Sequence, residues 1–293
     1  MATPKQVEEE DDSSLPFVSR RSPIVCCHAA VATSQPLASS IGLDLLRKGA
    51  NAADAAVAIA AALAVTEPCS TGLGGDMFCL YYDKGTVSCV NGSGKSPKAL
   101  TLERLETVYP DGSGGVNVEQ FRDSPLSVTV PGAAAGWEAV WQRHGSGKFS
   151  FAELLEPAAV LAEEGFPVAP VTAYHGRAGM SQITQWLRDD ESAPLAKSGT
   201  LQTPPSPGDI VVNPDLARVL RELGREGATK GFYQSATGRA IAEIVQKHGG
   251  CLTVDDLVAH TTTFPVPVAV EYRGCQLWQV PPNGQGIAGL IAL

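Results

Sequence analysis

Apolar positions first gather at Ile24-Val25-Cys26-Cys27, a short run that reads as a strand, with Ala30 to Thr33 continuing or returning it. The period then changes. Leu37, Ile41 and Leu45 recur every four residues and so share one face of a helix. Ser34 is placed to cap that helix, Pro36 fits its first turn, Arg47 and Lys48 suit its negative end, and Gly49 ends it. A second helix follows directly, with Asn51 as its cap and Asp54 in its first turn. Nine of the fourteen residues from Ala52 to Val65 are alanine. Alanine has the highest helix propensity, and a short helix that is apolar all round is buried between layers.

Downstream, a glycine loop at Gly72–Asp76 leads into a hairpin, Met77 to Tyr82 and Thr86 to Val90, turning at Asp83-Lys84-Gly85. A strand is predicted at Ser127–Val130, closed by Pro131-Gly132, and helices over Gly136–Arg143 and Phe151–Glu164. The polar, proline-rich stretch from Thr184 to Pro214 reads as an extended surface insertion. Helices return at Asp215–Arg225 and Gly238–His248, and Asp255-Asp256-Leu257 opens one more short turn. Val266–Glu271 and Cys275–Val280 then form a second hairpin around Tyr272-Arg273-Gly274. Helices and antiparallel strands come in blocks, which favours α+β layers over a doubly wound sheet.

Composition narrows the class. A chain of 293 residues that is 44% hydrophobic and 18% charged is globular. Its 22 Lys+Arg against 31 Asp+Glu leave a net charge of −9, which argues against a nucleic-acid partner. The longest uncharged apolar run, Ala55–Val65, falls short of the roughly 20 residues that a membrane span needs. Residues 1–22 read as a disordered tail whose acidic block, Glu8 to Asp12, is the reverse of a secretory leader; residues 23–293 read as the domain. The seven cysteines form no C-x-x-C pair, so zinc-ribbon and thioredoxin readings have no support. Cys26-Cys27-His28 leaves a metal or reactive thiol open beside the simpler reading of buried thiols on a strand. Free cysteines without a leader point to a reducing cytoplasm.

Candidate chemistry is sparse. Gly72-Leu-Gly-Gly-Asp76 lacks the third glycine of a dinucleotide loop and precedes a strand, although its backbone could form an anion nest. Gly94-Lys95-Ser96 imitates the end of a P-loop, but the required first glycine would fall at Cys89 and Pro97 follows at once. There is no G-x-S-x-G elbow. His28, His144, His175, His248 and His260 lack metalloprotease spacing, and Asp255-Asp256 suits a helix N-terminus. These residues alone give a layered α+β domain with no complete catalytic set, and imply neither a metal nor an organic cofactor.

Taken together, however, several segments resemble the γ-glutamyltranspeptidase (glutathione hydrolase) family. They are Ala32-Thr-Ser-Gln-Pro-Leu-Ala-Ser39, Gly42 to Val57, Glu67-Pro68 through Gly75, Val130-Pro-Gly-Ala-Ala-Ala-Gly-Trp137, Gly231-Phe-Tyr233, Leu252-Thr-Val-Asp-Asp-Leu257, Tyr272-Arg-Gly274 and Pro281-Pro-Asn-Gly-Gln-Gly286. Their detail is similar to the signal-less, bacterial-type branch. The resemblance implies an αββα sandwich of the N-terminal-nucleophile hydrolase type, incomplete here because the segments match only the large-subunit side. It also implies a proenzyme that cuts itself, freeing a threonine whose own amine is the base for attack on a γ-glutamyl amide. That threonine belongs to a small subunit, the implied partner, so no catalytic residue is expected within the chain. Thr261-Thr-Thr263 falls in a stretch that the family does not use for catalysis.

Ser93 stands where better-known members of the family carry an arginine that grips the substrate α-carboxylate. Lys95, two residues on, could supply the charge, though without guanidinium's bidentate fork. Ser93 and Lys95 are therefore the candidate substrate-binding residues. Glutathione is the obvious substrate, and an amidase with another acyl group or a non-catalytic homologue are the alternatives.

Overall fold

The computed structural model describes residues 22–187 and 204–293. By contact the chain divides into two units, Met1–Ala30 and Val31–Leu293. Apart from Ser22, the expected tail lies outside the described residues. The strand predicted at Ile24–Cys27 does not form. Residues 22–30 have no ladder partner among the described residues, Ile24 and Val25 are 83% and 90% exposed, and Cys26 and Cys27 are exposed thiols rather than buried ones.

Helix α1 (Pro36–Arg47) carries Pro36 at its start and ends at Gly49, whose φ of 91° only glycine adopts readily. Its cap position is Gln35, not Ser34 as expected: the Ser34 hydroxyl donates instead to Glu67 Oε2 at 2.6 Å. Helix α2 (Ala52–Thr66) opens with a capping box. The Asn51 side chain accepts from the Asp54 N–H at 3.0 Å, and the Asp54 carboxylate accepts from the Asn51 N–H at 3.2 Å. Asp54 is fully buried and also accepts from the Ser146 N–H at 3.2 Å. The small alanines let α1, α6 and α5 pack onto α2, which buries residues all round its axis.

Strands β1 (Met77–Asp83) and β2 (Thr86–Gly92) pair antiparallel with Cys79 opposite Val90, closed by Lys84-Gly85 at φ 46° and 88°. Positive φ at both turn positions matches the twist of a two-residue hairpin loop. Helices α3 (Leu102–Val108) and α4 (Val118–Arg122) follow; neither is marked by an apolar stripe. The strand predicted at Ser127–Val130 is absent. A 3-10 turn occupies Pro125–Ser127, the Ser127 hydroxyl donates to the Ser124 and Arg122 carbonyls, and the Val130 N–H goes to the Lys95 carbonyl at 3.0 Å. With no neighbouring strand among the described residues, these residues anchor a loop.

Helices α5 (Ala133–His144) and α6 (Phe151–Glu164) form as expected, the second opened by a Ser150–Glu153 capping box. Strand β3 (Phe166–Pro167) precedes α7 (Pro170–Leu187), which runs into the expected insertion, and β4 (Ile210–Val211) pairs back with β3. The rest of that insertion, residues 188–203, lies outside the described residues. Helix α8 (Pro214–Ala228) breaks at Gly227, φ 75°, and passes through a π turn at Thr229–Tyr233 into α9 (Ala236–Lys247) and the short α10 (Val254–Val258). The second hairpin, β5 (Val268–Tyr272) with β6 (Cys275–Gln279), leads to α11 (Gly286–Ala292).

The core lies between α6 and α8, where Leu154, Leu155, Leu220 and Leu223 are buried, and extends over α2 to Trp137 of α5. From β1, Met77, Cys79 and Tyr81 pack against this core, and the Tyr81 ring stacks on His144 at 4.4 Å. The alternate residues Phe78, Leu80 and Tyr82 are 42%, 36% and 70% exposed. Among the described residues no helix is long and apolar enough to cross a membrane.

Candidate active site

Four segments meet at the open end of the first hairpin. The β2 strand leaves through Asn91-Gly-Ser-Gly-Lys95; Gly75-Asp76 enters β1; Val130–Ala133 enters α5; and His260–Thr263 precedes β5. The contact is backbone against backbone. A Cβ on Gly94 would stand 1.5 Å from the Val130 carbonyl oxygen, and one on Gly132 would stand 2.0 Å from that of Gly92. Only glycine allows this approach. The Gly132 and Ala133 N–H groups donate to the Gly75 carbonyl at 3.1 and 3.0 Å, and the Gly94 N–H donates to Asp76 Oδ1 at 3.1 Å. Thr263 exchanges backbone hydrogen bonds with Asn91 at 2.9 and 3.0 Å, joining the second hairpin's approach to the end of the first.

Both sequence-predicted site residues lie here, in different environments. Lys95 is exposed. Its carbonyl is held by the Val130 N–H at 3.0 Å, and among the described residues its ammonium forms no ion pair. Ser93 is half-buried. Its N–H and hydroxyl approach Asn91 Oδ1 at 2.9 and 2.7 Å, and Asn283 Nδ2 donates to its hydroxyl oxygen at 3.0 Å. The structure therefore brings Ser93, Lys95 and Asp76 to one loop cluster and adds Asn283, from the Pro281-Pro-Asn-Gly-Gln-Gly286 segment, whose contact with Ser93 sequence spacing alone does not reveal.

His260 and Thr262 flank the same loops. His260 Nε2 and Thr262 Oγ1 are buried without a partner among the described residues. Burial holds His260 below its usual range, Asp76 pulls the other way, and the charge of Lys95 adds to the lowering. The imidazole lies 5.5 Å from the ring of Tyr233, whose hydroxyl donates to the Pro131 carbonyl at 2.7 Å. Burial pushes that phenol well above its ordinary value. Thr261–Thr263 lie inside the chain and carry no free α-amine, so none has the base that an N-terminal threonine brings.

A second polar cluster ties α1 to α2 and α7. Ser34 Oγ and Gln35 Nε2 both donate to Glu67 Oε2, at 2.6 and 2.8 Å, and Thr172 Oγ1 donates to the Thr66 carbonyl at 3.2 Å. Burial alone would raise the Glu67 carboxyl. Hydrogen bonds from Ser34, Gln35 and Ser70, with the charge of His175, overcome that and hold it below the usual carboxylate range. A carboxylate so stabilised is a weak base, so the Ser34–Glu67 pair is structural. The hydroxyl–carboxylate contacts at Ser150–Glu153 and Thr253–Asp256 are helix caps. The arrangement can bind and orient a polar ligand at Lys95, but no activated nucleophile accompanies it among the described residues.

The chain is similar to known proteins over most of its length. Residues 38–293 match the family model described as Gamma-glutamyltranspeptidase. The Glutathione hydrolase-like YwrD proenzyme of Bacillus subtilis (strain 168) is 36% identical over 261 residues, covering 88% of this chain and 46% of that protein. Among solved structures, gamma-glutamyltranspeptidase from Helicobacter pylori aligns with a TM-score of 0.81 at 30% identity, over 92% of this chain and 74% of its own. The cephalosporin acylase from Bacillus halodurans aligns with a TM-score of 0.79 at 35% identity, over 95% of this chain and 50% of its own. The chain spans less than half the length of the curated relatives it matches.

Proposed function

The chain belongs to the γ-glutamyltranspeptidase family, and we propose that it is the large-subunit portion of a proenzyme that transfers or hydrolyses γ-glutamyl groups, glutathione among them. Its fold is the α+β sandwich of the N-terminal-nucleophile hydrolases, present here in part. The observation that carries the reading is the family match from residue 38 to 293. In this reading a threonine from polypeptide past Leu293, freed by self-cleavage, attacks the γ-glutamyl amide with its own amine as base. The acyl group then passes to water or an acceptor amine. The part of this chain is to hold the acyl donor. Lys95, exposed beside Ser93, offers its ammonium to the donor's carboxylate as a point charge.

A second reading, another amidase of the same fold acting on a different acyl group, is favoured by one observation. Ser93 sits inside a neutral hydrogen-bonded cluster at the position where the family's better-known members place a charged grip. The same experiment addresses both readings. The full-length product is incubated with γ-glutamyl anilide and followed for self-cleavage and released aniline. Self-cleavage with release supports the first reading, and self-cleavage with release only from other acyl anilides supports the second. Neither event on any donor defeats both and leaves a non-catalytic homologue.

A further inference from the structure

Asn91, Ser93 and Asn283 form a closed ring of hydrogen bonds whose polarity follows from one peptide group. The Ser93 N–H can only donate, so the Asn91 side-chain atom 2.9 Å from it is the oxygen. The other end of Asn91 is therefore its nitrogen, which donates to Asn283 at 3.0 Å, so that atom of Asn283 is also an oxygen. The remaining Asn283 nitrogen donates to Ser93 Oγ at 3.0 Å. The Ser93 proton then closes the ring on Asn91 Oδ1 at 2.7 Å, the shorter of its two acceptor contacts; Asn283 Oδ1 is at 3.2 Å. Each group donates once within the ring and accepts once.

Two consequences follow. The Ser93 hydroxyl proton points inward, so Ser93 cannot donate to a ligand. Asn283 is exposed, and among the described residues its second N–H has no partner. The ring thus holds one neutral, oriented donor beside the loop that carries Lys95.

We propose that Asn283 is a specificity-determining residue that donates its free N–H to the distal carboxylate of the acyl donor. This rests on the acyl-transfer reading above and names the recognition chemistry of that site. Because the ring carries no charge, it neither needs nor repels an ammonium on the same carbon. Acyl groups ending in a carboxylate are accepted with or without the amino group. Substituting Asn283→Asp removes the donor and places negative charge there, which repels a carboxylate and attracts an ammonium.

The test uses the full-length product and two probes, γ-glutamyl anilide and glutaryl anilide, the same acyl chain without its ammonium. The unsubstituted enzyme is expected to use both, with KM values within about tenfold. Asn283→Asp is expected to raise KM for the glutaryl donor at least about tenfold more than for the γ-glutamyl donor, with kcat little changed, the loss expected when a charge-assisted hydrogen bond becomes a repulsion. A purely structural lesion lowers turnover of both donors alike and leaves the ratio fixed. If the aspartate variant does not self-cleave, Asn283→Ser, which shortens the side chain without adding charge, is expected to raise KM for both donors by a similar factor. An unchanged KM ratio in Asn283→Asp, or unchanged KM values in Asn283→Ser, overturns the inference while the functional reading stands. Inactivity of the unsubstituted enzyme on both anilides overturns the inference together with the γ-glutamyl reading.

Discussion

Replacing Gly94 by alanine tests the geometry on which the site is built. The added Cβ would stand 1.5 Å from the Val130 carbonyl oxygen, 2.6 Å from its carbon and 3.1 Å from its Cα. The obstacle is backbone, so no rotamer change relieves it. The two segments must part by about 2 Å to reach ordinary carbon–oxygen contact, on a contact scale of about 3.5 Å. Overpacking of this kind costs about 1–3 kcal/mol where side chains can yield. Here separation also strains the Val130–Lys95 hydrogen bond at 3.0 Å and the Gly94–Asp76 bond at 3.1 Å. Losing a neutral and a charged hydrogen bond adds roughly 2–4 kcal/mol, so the total is roughly 3–7 kcal/mol against a typical stability of about 5–15. Gly132→Ala attacks the same contact from the other side, 2.0 Å from the Gly92 oxygen, and is expected to cost a similar amount. Since either change alone forces the segments apart, the double variant should cost less than the sum. Gly74→Ala is the control: nothing lies within 4 Å of its Cβ position, and it should stay within about 0.5 kcal/mol. Urea midpoints read by tryptophan fluorescence measure all four. If Gly94→Ala matches Gly74→Ala, or if the double variant is strictly additive, the close approach described above is wrong.

Other substitutions probe the charges. Glu67→Gln should cost about 1–3 kcal/mol at neutral pH by weakening two charge-assisted hydrogen bonds. Because the folded carboxyl is held below its ordinary 4.5, its contribution is present above that value and lost as pH falls through the lower folded value, so the gap between native and variant urea midpoints should narrow below pH 4.5. His260, faced by Asp76, Lys95 and Tyr233, is held below its ordinary 6.5, so the fold favours the neutral ring and loses stability as pH drops below 6.5. Midpoints measured between pH 7 and 5 should fall less steeply in His260→Gln, with a residual slope from His144, which burial and Arg143 also lower against the opposing pull of Asp83. In the full-length enzyme Lys95→Ala should raise KM for the γ-glutamyl donor by about 10–100-fold with kcat little changed, while Lys95→Arg retains most of the binding.

What could be read from the chain divides by distance along it. Helix α2 was legible because its signals are local: nine alanines, with Asn51 and Asp54 three residues apart. Helix α6 forms over its predicted residues for the same reason, and both hairpins announce themselves by their turns. Ser34 looked like a cap because its partner, Glu67, lies 33 positions away and is invisible to a local pattern. Ser127–Val130 has the composition of a strand, yet no neighbour offers a ladder, and Val130 bonds to Lys95 instead. The exposed run at Ile24–Cys27 failed likewise: an apolar stretch specifies a strand only where something pairs with it. At the candidate site, Ser93 and Lys95 were marked only by the family resemblance, Ser93 standing at the place of the family's arginine. Their environment was not, because the ring around Ser93 closes across 190 positions through Asn283.

The exposed face of β1 and the absence of an activated nucleophile among the described residues have one explanation under the proposed reading. An antiparallel ladder with a single solvated face normally turns polar residues to water, yet β1 turns Phe78, Leu80 and Tyr82 outward while Met77, Cys79 and Tyr81 pack on the core. Near the second hairpin Val266 is 84% exposed and Phe264 is 45% exposed. Apolar residues at successive positions of a strand specify burial on both sides. In a sandwich of two sheets, the layer that covers such a face is also the layer that can present an acylated threonine to the ligand held at Lys95. Binding groups on one side and chemistry on the other also explain why the described residues form a well-defined polar cluster with no base among them to activate a nucleophile. Under this reading the two halves divide the labour of one reaction, and the glycines that press Gly94 against Val130 hold this half's share in register.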